Sequence, residues 1–235
     1  MSALEPLAGL RGGLVVSCQA PAGSPLHDPY VIARMALAAE QGGAVAVRID
    51  SPDHIRAVRA LCRVPILGLH KQVHAGSDVY ITPTVASVHG VVEAGAPLVA
   101  VDGTGRPRPG GESLATVVAA AREAGAVVLA DVSTIDEGLA ALDLGVDALA
   151  TTLSGYTAYT TAGDGPDLGL VAALSRRVHV PVLCEGRVRS ADDVRHAFEA
   201  GAFAVVVGGA ITGIDGRVRD FVRATPLAGG GASHA

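Results

Sequence analysis

The chain has 235 residues, a formal net charge of −5 and a pI near 5.9, with 49% hydrophobic and 17% charged residues. A composition this apolar buries a substantial core and excludes wholesale disorder; its acidic balance excludes a broad basic face for nucleic acid. Aromatics at 3% and no Trp leave neither an aromatic sugar platform nor a base-stacking surface.

The N-terminus, Met1 to Pro6, lacks a basic stretch followed by a long apolar one, so no signal peptide is expected. No apolar run reaches the ~18 residues of a membrane span. Cys18, Cys62 and Cys184 lie far apart without C-x-x-C spacing. They read as small buried hydrophobes of a cytoplasmic protein, not as a disulfide framework or a zinc site.

Eight short apolar runs then recur, at 13–17, 44–48, 65–69, 98–101, 126–130, 147–150, 181–184 and 204–207. Their near-continuous apolarity predicts parallel strands covered on both faces. Helices are predicted between and after them, at 28–41, 52–63, 84–94, 112–124, 134–144, 167–177, 190–200 and 215–223. Three of these end in Glu-Ala-Gly-Ala, at Gly95, Gly125 and Gly201, where glycine suits the left-handed position that stops a helix. Ser190 with Asp193 predicts a capping box.

A repeat of about 29 residues is the size of a βα unit in a (β/α)8 barrel. The near-copies Val64-Pro65-Ile66-Leu67 and Val180-Pro181-Val182-Leu183 stand four such units apart, as strands 3 and 7 do. A doubly wound sheet would want a glycine fingerprint after an early strand, and none is present. One barrel domain over 1–225 is therefore expected, with a disordered Gly-rich tail over 226–235 that includes Gly229-Gly230-Gly231.

Active-site groups of such a barrel sit at the C-terminal strand ends. In order these ends carry Gln19, Arg48 with Asp50, Lys71, Asp102, Asp131, Thr151 with Thr152, Glu185, and Gly208-Gly209. Lys71 and Glu185 follow strands that face each other across the mouth. Two proton-transfer groups on opposite sides of a substrate suit inversion at carbon; an ion pair closing the barrel top is the plainer alternative. Glu185-Gly186-Arg187 and Gly208-Gly209-Ala210-Ile211-Thr212 follow strands 7 and 8, the usual phosphate position of this fold, with glycine N–H groups, a short helix start and Arg187 to meet an anion. His70 and His74 are a weak metal pair, and no metal is expected. The loop Asp102 to Pro109 is either a substrate contact or a tied-down turn. Ser154-Gly155-Tyr156-Thr157 is either a lid or an ordinary loop.

These residues resemble the N-acetylmannosamine-6-phosphate 2-epimerases of bacterial sialic-acid breakdown. The matching strings are Val16-Ser17-Cys18-Gln19-Ala20, Val47-Arg48-Ile49, Gly68-Leu69-His70-Lys71, Tyr80-Ile81-Thr82-Pro83-Thr84 and Ala130-Asp131-Val132-Ser133-Thr134. Thr151-Thr152-Leu153-Ser154-Gly155-Tyr156-Thr157, Glu185-Gly186-Arg187 and Gly208-Gly209-Ala210-Ile211-Thr212 continue them, and the loop from Asp102 fits an Asp-x-Thr-x-Arg-x-Arg-Pro pattern. The resemblance spans roughly residues 7–223.

It implies a cofactor-free isomerase, usually a homodimer, that interconverts N-acetylmannosamine 6-phosphate and N-acetylglucosamine 6-phosphate at C2 of the open-chain aldehyde. The partner is then a small amino-sugar phosphate, with no nucleic acid and no membrane. Lys71 and Glu185 match the family's catalytic lysine and glutamate. Gln19, Arg48 and Asp131 match positions that hold the sugar, and Arg48 is the candidate for steadying the enolate. Thr152, Gly186, Arg187, Gly208 and Gly209 complete the expected substrate contacts. Gly213 and Ile214 stand where the family has arginine and proline. Gly213→Arg is therefore expected to tighten phosphate binding, unless Arg189 or Arg217 already fills the role. The alternatives are a same-fold epimerase or isomerase acting on another or an unphosphorylated amino sugar, and a sugar-phosphate-binding barrel without catalysis.

Overall fold

In a computed structural model, which describes residues 5–229, eight parallel strands close into a barrel in sequence order, β1 to β8. They are β1 Leu14–Cys18, β2 Ala46–Asp50, β3 Ile66–Leu69, β4 Leu98–Asp102, β5 Val127–Asp131, β6 Ala148–Ala150, β7 Val182–Glu185 and β8 Ala204–Val207. The barrel closes where Val15 of β1 pairs with Val206 of β8. The crossover helices are α2 Pro29–Gln41, α3 Pro52–Leu61, α4 Val85–Glu93, α5 Leu114–Glu123, α6 Ile135–Asp143, α7 Leu168–Ser175 and α8 Ala191–Glu199. Each expected strand and helix is present, with ends shifted by one or two residues.

Local chemistry sets the helix ends. Ser190 accepts from the Asp193 N–H and the Asp193 carboxylate returns to the Ser190 N–H, the capping box expected from sequence. Thr134 with Glu137 and Thr84 with Ser87 repeat it. Gly95, Gly125 and Gly201 take φ of 98°, 78° and 99°, the left-handed turn that sends each chain into its next strand.

Strand alternation divides the core in two. Val15, Ala46, Leu67, Leu98, Ala100, Val127, Leu129, Ala148, Leu183 and Val206 fill the barrel interior. Val16, Val47, Ile49, Val99, Val101, Val128 and Val182 point outward under the helices. Short helix α1, Glu5–Ala8, which the sequence did not announce, sets Leu7 and Leu10 into the interior cluster. It is pinned nearby by the Gly12 N–H donating to the Phe203 carbonyl at 2.8 Å.

After β8 come α9 Gly209–Thr212, α10 Ile214–Arg223 and α11 Pro226–Gly229. Within the expected tail, Pro226–Gly229 forms one helical turn, with a helix-compatible Pro at its first position. The rest of the expected tail, 230–235, lies outside the described residues. Helix α10 buries no residue. Its apolar positions Ile214, Val218, Phe221 and Val222 are 52%, 54%, 70% and 53% exposed, a stripe at helical spacing that is left open among the described residues. No helix among the described residues is long and apolar enough to cross a membrane.

Candidate active site

The same alternation that fills the barrel carries polar groups at its top. Ser17, Arg48, Asp102, Asp131 and Glu185 share the parity of the interior residues on their strands, so they project inward. Arg48 is buried, and its guanidinium grips Asp131 twice, at 2.5 Å and 3.1 Å. It also contacts the Glu185 carboxylate. The Thr152 hydroxyl donates to Asp131 as well. Burial alone would weaken the Arg48 charge, but Asp131 and then Glu185 outweigh it and hold the guanidinium charged. Burial raises the Glu185 carboxyl, Arg48 opposes this, and the Asp131 charge adds to the rise.

Lys71 stands just past β3. Its N–H donates to Asp50 Oδ1 at 2.8 Å and its Nζ to Gln19 Oε1 at 2.6 Å. Gln19 in turn donates to the Ser17 hydroxyl at 2.9 Å. Burial lowers the Lys71 pKa, Asp50 opposes the shift, and Arg48 adds to it. Lys71 and Glu185 thus have different partners, Gln19 and Arg48. No ion pair joins them among the described residues, which disfavours the plainer sequence alternative of a Lys–Glu latch.

A cavity of about 950 Å³ opens above this cluster, the size of a small-molecule site. Of the expected site residues, Gln19, Lys71, Thr152, Glu185, Gly186, Arg187, Gly208 and Gly209 line it. Arg48 and Asp131 do not; both are buried beneath its floor. Asp131 is the last residue of β5, as expected, and Arg48 lies within β2; both point inward and bind each other. Ser17, Tyr80, Arg189, Arg217 and Arg219 also line the cavity. The inward parity of Ser17 was a usable signal for it; Tyr80 lay unremarked inside a matching string.

The two undecided loops resolve. Ser154–Thr157 is an anchored wall: Leu153, Ser154 and Thr157 are buried, and Arg187 donates to the carbonyls of Ser154 and Gly165 at 2.6 Å and 2.9 Å. The Asp102 loop is a tied-down turn. Asp102 is buried, accepts from Thr104 and pairs with Arg106 at 2.7 Å, while Arg108 donates to its carbonyl. Among the described residues no group of three or more His, Cys, Asp or Glu is placed to hold a metal ion. Burial lowers the His70 pKa against the opposing charges of Asp50 and Asp53, and His74 pairs with Ser77 in a small hairpin. The cysteines are free and buried, and burial pushes the Cys18, Cys62 and Cys184 thiols up to about 12, 11 and 12.

Residues 32–226 match the family model described as "Putative N-acetylmannosamine-6-phosphate epimerase". The chain belongs to that family. A Synechococcus elongatus protein named "Putative N-acetylmannosamine-6-phosphate 2-epimerase" is 46% identical over 227 residues, covering 95% of this chain and 98% of its own. A Clostridium perfringens protein of the same name is 41% identical over 203 residues, covering 86% and 92%. A solved structure of the N-acetylmannosamine-6-phosphate 2-epimerase from Clostridium perfringens superposes with a TM-score of 0.90 at 38% identity, covering 93% of this chain and 96% of that one.

At Gly213, the position expected from the resemblance to carry arginine, the backbone comes close on itself. Gly213 ends α9 and begins α10, and its N–H donates to the Gly209 carbonyl at 3.2 Å. A Cβ at this position would stand 2.7 Å from the Gly209 oxygen and 2.8 Å from its Cα. Both are backbone atoms of the candidate phosphate loop and cannot swing aside. An arginine at 213 therefore requires this backbone to shift, which bears against the expectation that Gly213→Arg simply restores a phosphate contact.

Proposed function

We propose that the protein interconverts N-acetylmannosamine 6-phosphate and N-acetylglucosamine 6-phosphate by moving the C2 proton of the open-chain sugar. The observation that carries this reading is that Lys71, its Nζ held by Gln19, lines one cavity with Glu185, over the Arg48–Asp131–Glu185 charge cluster. A neutral lysine amine takes the C2 proton, the electron pair moves to the C1 oxygen, and a proton returns to the opposite face. Glu185 lines the same cavity and is the candidate for that second transfer. Arg48, locked from below by Asp131, sets its cation under the developing enolate. Asp131 then acts as a positioning residue. Gln19 and Thr152 reach the sugar. Gly186, Arg187, Gly208 and Gly209 form the phosphate end, with Arg189, Arg217 and Arg219 lining the same cavity. The acidity of C2 beside an aldehyde needs no metal or nicotinamide.

The experiment is proton NMR of each 6-phosphate sugar in deuterated water. Both epimers with deuterium at C2 are expected; an unchanged substrate sinks the reading. Lys71→Ala and Glu185→Gln should each lower kcat by ~10²–10⁴, the range for a positioned acid or base. Glu185→Gln should still let Lys71 exchange the C2 proton of one epimer. If exchange and epimerisation fall together, Lys71 makes both transfers and Glu185 serves only to balance Arg48.

A second reading, an amino sugar that carries no phosphate, is favoured by Gly213 alone, and turnover of the unphosphorylated sugars separates it. The exposed apolar stripe of α10 supports a homodimer in which a second copy covers it. A cytoplasmic site suits three free buried cysteines.

A further inference from the structure

Tyr80 has no role yet in the proposed reaction, although it lines the same cavity as Lys71. Its backbone is fixed to the lysine segment. Lys71 pairs with Ile81 in an antiparallel bridge, the Gln72 N–H donates to the Tyr80 carbonyl at 2.9 Å, and the Thr82 N–H to the His70 carbonyl at 2.9 Å. The other side of this short ribbon is tied to β4 by the Asp102 N–H donating to the Ile81 carbonyl at 3.0 Å. Thr82, buried, is held at a positive φ of 44° with its hydroxyl accepting from the His70 N–H. Such strain persists only where the surroundings over-determine it. The Tyr80 ring packs on the interior apolar cluster, and its hydroxyl has no hydrogen-bond partner among the described residues.

We infer that Tyr80 is a further catalytic residue, whose hydroxyl donates a hydrogen bond to the C1 oxygen of the open-chain sugar as charge develops there. This rests on the epimerase reading of the same site. The phosphate end lies toward β7 and β8, so the reacting end lies toward Lys71 and therefore toward Tyr80. C1 is bonded to the carbon that Lys71 deprotonates, and its oxygen is the atom that gains charge. When the C2–H bond breaks, its pair forms the C1–C2 double bond and the carbonyl pair moves onto oxygen. Tyr80 keeps its proton throughout and only shares it. Burial, and then the Asp131 charge, raise its pKa, which favours the neutral phenol that can donate this hydrogen bond.

Tyr80→Phe keeps the ring and removes only the donor. It should lower kcat by about 10²–10³-fold, the cost of one oxyanion donor, leave KM little changed, and slow C2 deuterium exchange in step. Replacing Tyr80 with 3,5-difluorotyrosine lowers the phenol pKa and should bring the loss of activity at high pH down the scale, a shift that a packing role does not produce and that also serves if the Phe variant misfolds. Wild-type kcat in Tyr80→Phe, a change confined to KM, or an unmoved alkaline limb in the fluorinated protein overturns the inference. A wild-type protein that leaves both sugars untouched instead sinks the epimerase reading and this inference with it.

Discussion

Asp50 holds the backbone of Lys71 and also shifts its titration, and these effects separate experimentally. Asp50→Asn keeps the acceptor for the Lys71 N–H but removes the charge that raises the lysine pKa. A base works only when unprotonated, so activity falls as pH drops through the lysine pKa. The acid limb of kcat should move to lower pH in Asp50→Asn, read from a pH–rate profile. Beneath it, Asp131→Asn leaves Arg48 buried with Glu185 alone. Breaking a buried pair costs ~3–5 kcal/mol, and the remaining carboxylate should hold the loss near the lower end, measured by urea unfolding. Gly213→Arg should raise KM for the 6-phosphate sugars and spare any unphosphorylated one; a lowered KM would mean that α9 yields. At this scale the ring of polar strand ends was legible because each follows an apolar run. Which of them pair was not, since Arg48 and Asp131 stand 83 positions apart and meet only once the barrel closes.

Elements were the most legible level. Continuous apolar strands, capping boxes and C-terminal glycines are local signals, and here local preference agrees with tertiary packing. The elements that escaped notice, α1 and α11, are both only four residues long and carry too little pattern to register. Helix α10 was foreseen as a helix but not as one whose apolar face is uncovered, because periodicity gives a stripe without saying what lies opposite. The loop before α2 packs on α3 through a pair of histidines, His27 and His54, with ring centroids 4.8 Å apart. His54 is buried, and burial, then the His27 charge, lower its pKa below the ordinary 6.5. Between 6.5 and that lower value the unfolded chain binds a proton that the folded one refuses. This contribution to stability is therefore complete above 6.5 and is lost as pH falls below it. Tm should drop between about pH 7.5 and about pH 5.5, and His54→Gln should shrink the drop.

At the scale of the molecule, the outward stripe on α10 makes the oligomer testable. Val218→Glu with Phe221→Glu should convert the proposed dimer to a monomer in sedimentation; an unchanged dimer mass would place the contact elsewhere, and a monomeric wild type would overturn the proposal. The barrel itself was legible from a single repeat length, because eight equal units have few ways to cover both faces of a parallel sheet. Closure has a further consequence, for synthesis. β1 pairs with β8, and the plug formed by Leu7 and Leu10 rests on a segment pinned to Phe203. During translation β1 emerges with one flank bare and stays so until nearly the whole barrel has been made. The plug residues are among the early ones to leave the ribosome and among the last to find their seat. A nascent chain stalled before β8 would offer that bare flank to chaperones, or to the same edge on a neighbouring polysome.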